Sequence, residues 1–310
     1  MRLARQAAVL LALSFDSGCG GTQCSHAKPT QAALSSIDVD ADGVQQLLPS
    51  ADGASFRLGA RDPNQAEGLE IEQQTRALPG HDGKIRYWSI PAHDLDYASG
   101  GSGKTIRLHI RASGGEQRFT WQTQQGYLGN ARDLKNQELT VYLRAHGVFD
   151  LQRAAVSLKI RGGAHTARDG DLASCTMLTF APSGARALTR FGKELTHPSY
   201  DYVPLAPRFP ASLEEGRWVG LKLVSYCVPG FPASVMNRLY VDTTPFDGEG
   251  RPRNGWRLFS EYLDVEGKST GRYQKLVDWG GHQATVRSDG LAKLDIAILS
   301  AREIQPPSHN

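Results

Sequence analysis

Along residues 105–111 apolar and polar side chains alternate one for one. Ile106, Leu108 and Ile110 occupy one set of positions; Thr105, Arg107, His109 and Arg111 occupy the other. Thr140, Tyr142, Arg144 and His146 alternate with Leu139, Val141 and Leu143, and Ser157, Lys159 and Arg161 with Val156, Leu158 and Ile160. Trp218, Lys222 and Tyr226 alternate with Val219, Leu221 and Leu223, while Thr285 and Arg287 flank Val286. A period of two sends alternate residues to opposite faces of a sheet. Each segment therefore reads as a strand with one apolar face and one face rich in Arg, Lys, His, Tyr or Trp.

Strand character recurs near 54–58, 68–74, 84–90, 117–123, 174–180, 185–191, 235–242, 257–263 and 293–304. Gly and Pro turn signals lie between, and no segment keeps a helical period with caps at both ends. The expected fold class is all-β, a two-sheet antiparallel β-sandwich. No fixed-period repeat argues for a propeller. Two long loops are expected, at 192–216 with His197, Tyr200 and Tyr202, and at 244–256; long loops on sandwiches are often functional.

Composition changes this picture little. The 310 residues are 40% apolar and 22% charged, enough to bury a core without disulfides. A net charge of +3 is too mild to mark a nucleic-acid binder, and no nucleic-acid partner is expected. The distribution is more informative, since the basic residues sit on the alternating strands. The polar faces suit a ligand; they would equally serve as solvated faces that discourage edge pairing.

The N-terminus reads as an export signal, residues 1–19. Arg2 and Arg5 precede an apolar run from Ala7 to Phe15 that is short for a bilayer span. Ser17-Gly18-Cys19-Gly20 resembles a bacterial lipoprotein cleavage site, with Cys19 as the lipidated residue; Asp16 departs from that pattern. The expected layout is a tether at 20–43, one sandwich domain at 44–306 and a tail at 307–310, with the membrane met only through the lipid anchor. The expected location is the cell envelope or the secreted fraction. An oxidising compartment would favour a disulfide between Cys175 and Cys227.

Other motifs are set aside on context. Gly100–Thr105 reads GGSGKT, but Ala98 stands where a phosphate loop needs its first glycine and a strand follows instead of a helix. Asp38, Asp40 and Asp42 match half of a calcium loop whose twelfth position is Pro49. Asp242 and Asp247 offer an alternative place for a structural calcium ion. No cofactor and no catalytic metal is expected. Glu261, Asp264 and Glu266 are off by one from the alternating carboxylates of a glucanase strand.

The stretches Asn136–His146 (NQELTVYLRAH), Arg217–Cys227 (RWVGLKLVSYC), Arg238–Asp242 (RLYVD) and Asp295–Ile304 (DIAILSAREI) together resemble the concanavalin-A-like jelly-roll superfamily of lectins, glucanases and polysaccharide lyases. The resemblance spans roughly residues 45–305 and speaks to fold before function. It implies a concave sheet that holds a glycan. If the polar faces at 138–146, 153–161 and 217–227 line it, the ligand-binding residues are Tyr142, Lys159, Arg161, Trp218 and Lys222. Arg144, His146 and Tyr226 would stand beside them. Lys222-x-x-x-Tyr226 is similar to a late-strand motif of jelly-roll alginate lyases, although Val228 replaces their following Gln. By that resemblance Arg144 or Arg161 would neutralise a uronate carboxylate, and His146 and Tyr226 would carry protons. The expected function is binding of an acidic polysaccharide. The alternatives are a lyase acting on uronate polymers and a structural envelope protein without a glycan site.

Overall fold

The computed structural model describes residues 38–58, 69–71, 76–96, 102–111, 134–162, 175–186, 189–196, 199–230, 232–268, 274–281 and 283–307. The export signal expected at 1–19, with Cys19, and the strand expected at 117–123 lie outside them. The described residues form strands β1 (Ser50–Leu58), β2 (Leu69–Ile71), β3 (Leu78–Asp82), β4 (Ile85–Pro91), β5 (His93–Asp96), β6 (Ser102–Arg111), β7 (Gln137–Val148) and β8 (Ala155–Gly162). They continue as β9 (Cys175–Phe180), β10 (Arg190–Thr196), β11 (Ser199–Pro204), β12 (Trp218–Val228), β13 (Ser234–Asp242), β14 (Arg257–Val265), β15 (Gln283–Asp289) and β16 (Leu291–Ile304). No helix occurs among the described residues.

The strands make a two-sheet antiparallel β-sandwich. The first sheet runs β14-β13-β12-β7-β16-β4-β3, with β1 also paired to β16; the second runs β11-β10-β9-β8-β15-β6-β2, with β5 paired to β6. The chain leaves the first sheet after β7, builds four neighbouring strands of the second, returns for β12–β14, crosses for β15 and crosses back for β16. Strands distant in sequence thus become neighbours, which is why the alternating pattern alone could not assign them to a common face.

The apolar halves of the pattern fill the space between the sheets. Leu139, Val141 and Leu143 of β7 and Val219, Leu221 and Leu223 of β12 face Leu108 and Ile110 of β6, Val156, Leu158 and Ile160 of β8, and Val286 of β15. Each is at most 5% exposed, and burying a side chain of this size contributes about 1.5–3 kcal/mol. Phe180 meets Phe259 edge-on at 5.2 Å across the sheets.

Three expectations are corrected. The strand expected at 185–191 lies at Arg190–Thr196, and much of the long loop expected at 192–216 is the antiparallel pair β10–β11. The prolines of this stretch had suggested a loop, yet Pro204 closes β11, where a missing N–H is tolerated. Residues 38–43 are part of the folded body. Asp40 Oδ1 accepts the backbone N–H of Asp42 and of Val44, and Val44 is buried under the loop that carries Phe246 and Trp256.

Candidate functional site

The residues expected to share one groove fall on different surfaces. Tyr142, Arg144, His146, Trp218, Lys222 and Tyr226 lie on the outer face of the first sheet, and Lys159 lies on the outer face of the second. Arg161 is inside, between them. Along β12, Trp218 stands opposite Arg144, while Tyr226 lies eight residues further on; at about 3.4 Å per residue that is roughly 27 Å. Tyr226 therefore cannot act on the same bond as Arg144 and His146.

Each member of the first-sheet set has a structural task. Arg144 donates from Nε to Asp295 Oδ2 at 3.0 Å and from Nη1 to Asp82 Oδ2 at 2.5 Å. Its guanidinium lies beside the Tyr87 and Trp218 rings, at 5.0 and 4.7 Å, and those rings meet each other edge-on at 5.6 Å. His146 Nε2 lies 2.7 Å from Asp295 Oδ2. Burial opposes the Asp295 charge, but Ser89, His146 and Arg144 outweigh it and hold the carboxyl below the usual range. Lys222 is sealed: Nζ donates to Glu138 Oε1 at 2.6 Å and to Gln45 O at 2.7 Å, and Arg302 takes the other Glu138 oxygen. Burial draws the Lys222 ammonium down, with Glu138 opposing. Tyr142 is covered by Phe246 and Trp256 at 5.2 and 5.4 Å; its phenol is raised by burial, then by Asp242 and Asp40. Tyr226 is 2% exposed beside Val224 and Ile304.

Arg161 turns inward because β8 carries an extra residue there. The register against β15 shifts between Gln283 and Thr285, and Arg161 has φ +57°. A bulge of this kind breaks the two-residue alternation. The disulfide is also corrected. Cys175 and Cys227 are buried and form no disulfide with each other. Cys175 lies on the outer face of the second sheet, where its Sγ donates to Glu194 Oε2 at 3.6 Å, and Cys227 faces the interior of the sandwich, 3.5 Å from Asp278 O.

The shared basic face belongs to the second sheet. Cross-strand pairing sets two rows side by side. One reads Arg107, Arg287, Ser157, Thr179 and Arg190 on β6, β15, β8, β9 and β10. The next reads His109, Thr285, Lys159, Met177, Gly192 and Tyr202, ending on β11. Cys175, Glu194 and Tyr200 begin a third row. A Cβ at Gly192 would sit 2.8 Å from Met177 and 3.1 Å from Tyr202, so the glycine lets the Tyr202 ring lie over the sheet. Tyr200 and Tyr202 are parallel at 5.7 Å, and Arg190 stacks on Tyr202 at 3.7 Å.

Contacts across this face give its shape. Tyr200 Oη accepts from Lys159 Nζ at 2.8 Å and from Arg287 Nη1 at 3.4 Å. Arg287 is four strands from Tyr200, roughly 19 Å along a flat sheet at about 4.8 Å per strand. Two side chains spanning that width lean across a face curled inward, a trough. Burial opposes the Lys159 ammonium, but Cys175, Tyr200 and Glu194 outweigh it and hold it above the ordinary lysine range. Burial raises the Tyr200 phenol, with Lys159 opposing. At the β6 side, His109 Nδ1 lies 2.9 Å from both Thr285 Oγ1 and Gln283 Nε2. Lys159, His109, Thr285 and Gln283 form the buried floor, while Arg190, Arg107, Arg287 and Tyr202 keep accessible surface.

Among the sequence-predicted ligand residues, the trough contains only Lys159. Arg107, His109, Thr285 and Arg287 carry the alternating pattern in the sequence, but nothing in it tells which sheet each strand joins. Tyr200 and Tyr202 stand in a stretch whose prolines disguise a strand. Glu261 pairs with Arg238 on the outside while Asp264 pairs with Lys193 inside, so these acids do not flank a common bond.

No family model matches the chain, and no curated protein matches it. Solved structures with a similar arrangement include an endo-β-1,4-glucuronan lyase from the fungus Trichoderma reesei, at 10% identity over 76% of this chain and 90% of that one, with a TM-score of 0.40. Lectin I-B4 from Griffonia simplicifolia aligns at 8% identity over 80% and 98% of the two chains, with a TM-score of 0.36. An alginate lyase from a Chlorella virus aligns at 6% identity over 76% and 91%, also at 0.36. At these scores none of them assigns a role to a side chain of this protein.

Proposed function

We propose that this chain is an exported carbohydrate-binding β-sandwich that holds an acidic polysaccharide in the second-sheet trough. The observation that supports it most is the pair of cross-strand rows in which Arg107, Arg287, Arg190 and Lys159 share a face with stacked Tyr200 and Tyr202. Glu194 pairs with Lys159 and Asp289 with Arg287 on this face, and Glu70 of β2 is in register with His109. Guanidinium groups grip carboxylate or sulfate with two parallel hydrogen bonds, and tyrosine rings cover the apolar face of a sugar. A glycan array read at low and raised salt tests the reading. Uronate or sulfated polymers should bind and weaken as ions screen them. Binding that prefers neutral glycans and ignores salt would overturn it.

A second reading, a lyase cleaving uronate polymers by β-elimination, has a specific observation behind it. An imidazole (His109), an amide (Gln283) and a phenol held by two cations (Tyr200) occupy the same face. Elimination needs a group that stabilises the carboxylate, a base for the adjacent C–H and an acid for the leaving oxygen. The reaction forms a carbon–carbon double bond conjugated to the carboxylate, so growth of ultraviolet absorbance with a uronate polymer distinguishes it from binding alone. Loss of that growth in His109→Ala would support the reading; unchanged growth would remove His109 from it.

A further inference from the structure

Two facing rows of polar side chains cross the interior where β7 begins and β8 ends. In the first sheet Glu303, Gln137, Ser225 and Asn237 stand side by side on β16, β7, β12 and β13, each in register with the next. Cys227, two residues beyond Ser225, shares their face. In the second sheet Thr176 and Lys193 are cross-strand partners, Thr176 is opposite Ile160, and Arg161 follows at the bulge. The rows touch: Arg161 Nη1 lies 3.7 Å from Cys227 Sγ, and Lys193 Nζ donates to Asp264 Oδ2 at 2.9 Å. Gln137, Arg161 and Ser225 are completely buried, and Thr176 and Asn237 nearly so.

Most donors of this layer lack an acceptor among the described residues. Arg161 Nη1 donates to Val277 O at 3.1 Å, but Nε and Nη2 have no partner. Neither do Gln137 Nε2 nor the hydroxyls of Ser225 and Thr176. Two acceptors, Asn237 Oδ1 and Asp264 Oδ1, are also unpaired. Glu303, which acts on Arg161 electrostatically, spends its oxygens on the backbone N–H groups of Lys135 and Asn136. A buried guanidinium with an open edge and no carboxylate hydrogen-bonded to it among the described residues is costly, and interior polar groups in native proteins are nearly always paired. The Nε–Nη2 edge is the fork that takes an anion with two parallel hydrogen bonds. The excess of donors decides the sign of the ligand: an acceptor without protons satisfies them, and a cation does not.

We propose that this layer is a buried anion site, in which Nε and Nη2 of Arg161 hold a halide-sized monovalent anion between the two sheets. The positive φ at the bulge aims the guanidinium into the site, away from the face its position in the pattern predicts. The site is independent of the trough.

Bromide is the probe. Crystals of the full chain in sodium bromide should show an anomalous-scattering peak within hydrogen-bonding distance of Arg161 Nε and Nη2. Thermal melting should rise by several degrees in bromide relative to gluconate at equal ionic strength, and R161Q should lose that difference. A fork occupied by water with no bromide peak overturns the proposal. Equal melting in bromide and gluconate overturns it too. The diffraction experiment uses the unaltered protein, so it decides the matter even if R161Q does not fold.

Discussion

Lys159 Nζ donates to Tyr200 Oη at 2.8 Å, joining β8 to β11 across two intervening strands. Arg287 reaches the same phenol from the other side. This bracing fixes the floor of the trough and leaves Arg190 and Tyr202 on its accessible side. Arg190→Ala and Tyr202→Ala should each weaken an acidic glycan about tenfold, which corresponds to about 1.4 kcal/mol. Calorimetric titration with the best array ligand checks this, and the Arg190→Ala protein should show the shallower salt dependence.

Arg144 and His146 should matter to stability and leave glycan binding unchanged. Removing Arg144 leaves the Asp295 carboxylate, which is 1% exposed, with His146 and Ser89 but without its guanidinium, and deletes the cation packed on the Tyr87 and Trp218 rings. Breaking a buried pair in this way costs about 3 kcal/mol. Denaturant titration of Arg144→Ala measures the loss. A fall in glycan affinity without a fall in stability would return Arg144 to a binding role.

The Asp295 carboxyl is held low, so its contribution is present above the ordinary carboxylate range and disappears as pH falls through its folded value. Melting temperature of the parent should drop on acidification, and that drop should be smaller in Asp295→Asn, whose site no longer titrates.

Glu303 carries the opposite sign. Burial pushes its carboxyl up to about 7, against the two backbone N–H groups that favour the charge. The folded state then keeps its proton while the unfolded chain has lost it. The contribution is full below the ordinary carboxylate value and is lost as pH climbs to about 7. Glu303→Gln should flatten the pH dependence of melting in that window.

Cys175 and Cys227 should behave as thiols throughout. Burial, with Glu194 adding and Lys159 opposing, pushes the Cys175 thiol up to about 12, so at neutral pH it is neutral and slow toward alkylating reagents. Mass spectrometry of the native protein should show both unmodified after brief alkylation, and a reductant should leave the melting temperature unchanged. A peptide cross-linked through Cys175 and Cys227 in the unreduced digest would mean that the expected bond had formed after all.

The all-β class and most strand positions were legible from alternation, because a period of two is a local property of the chain. The apolar halves at 139–143, 156–160 and 219–223 predict core residues correctly, since each position faces the interior whichever sheet its strand joins. Glu261 and Asp264 were likewise separable by spacing alone. What the alternation cannot carry is partnership. Arg144 and Lys159 look alike in the sequence, yet one pairs inside an aromatic and acidic cluster on the first sheet and the other braces a trough on the second, because β7 and β8 part at the crossover. Arg161 looks like a third member of the same row; one extra residue in β8 turns it inside out. Local sequence set which side chains leave the core, while strand order, register and a single bulge, all products of long-range packing, decided which of them meet.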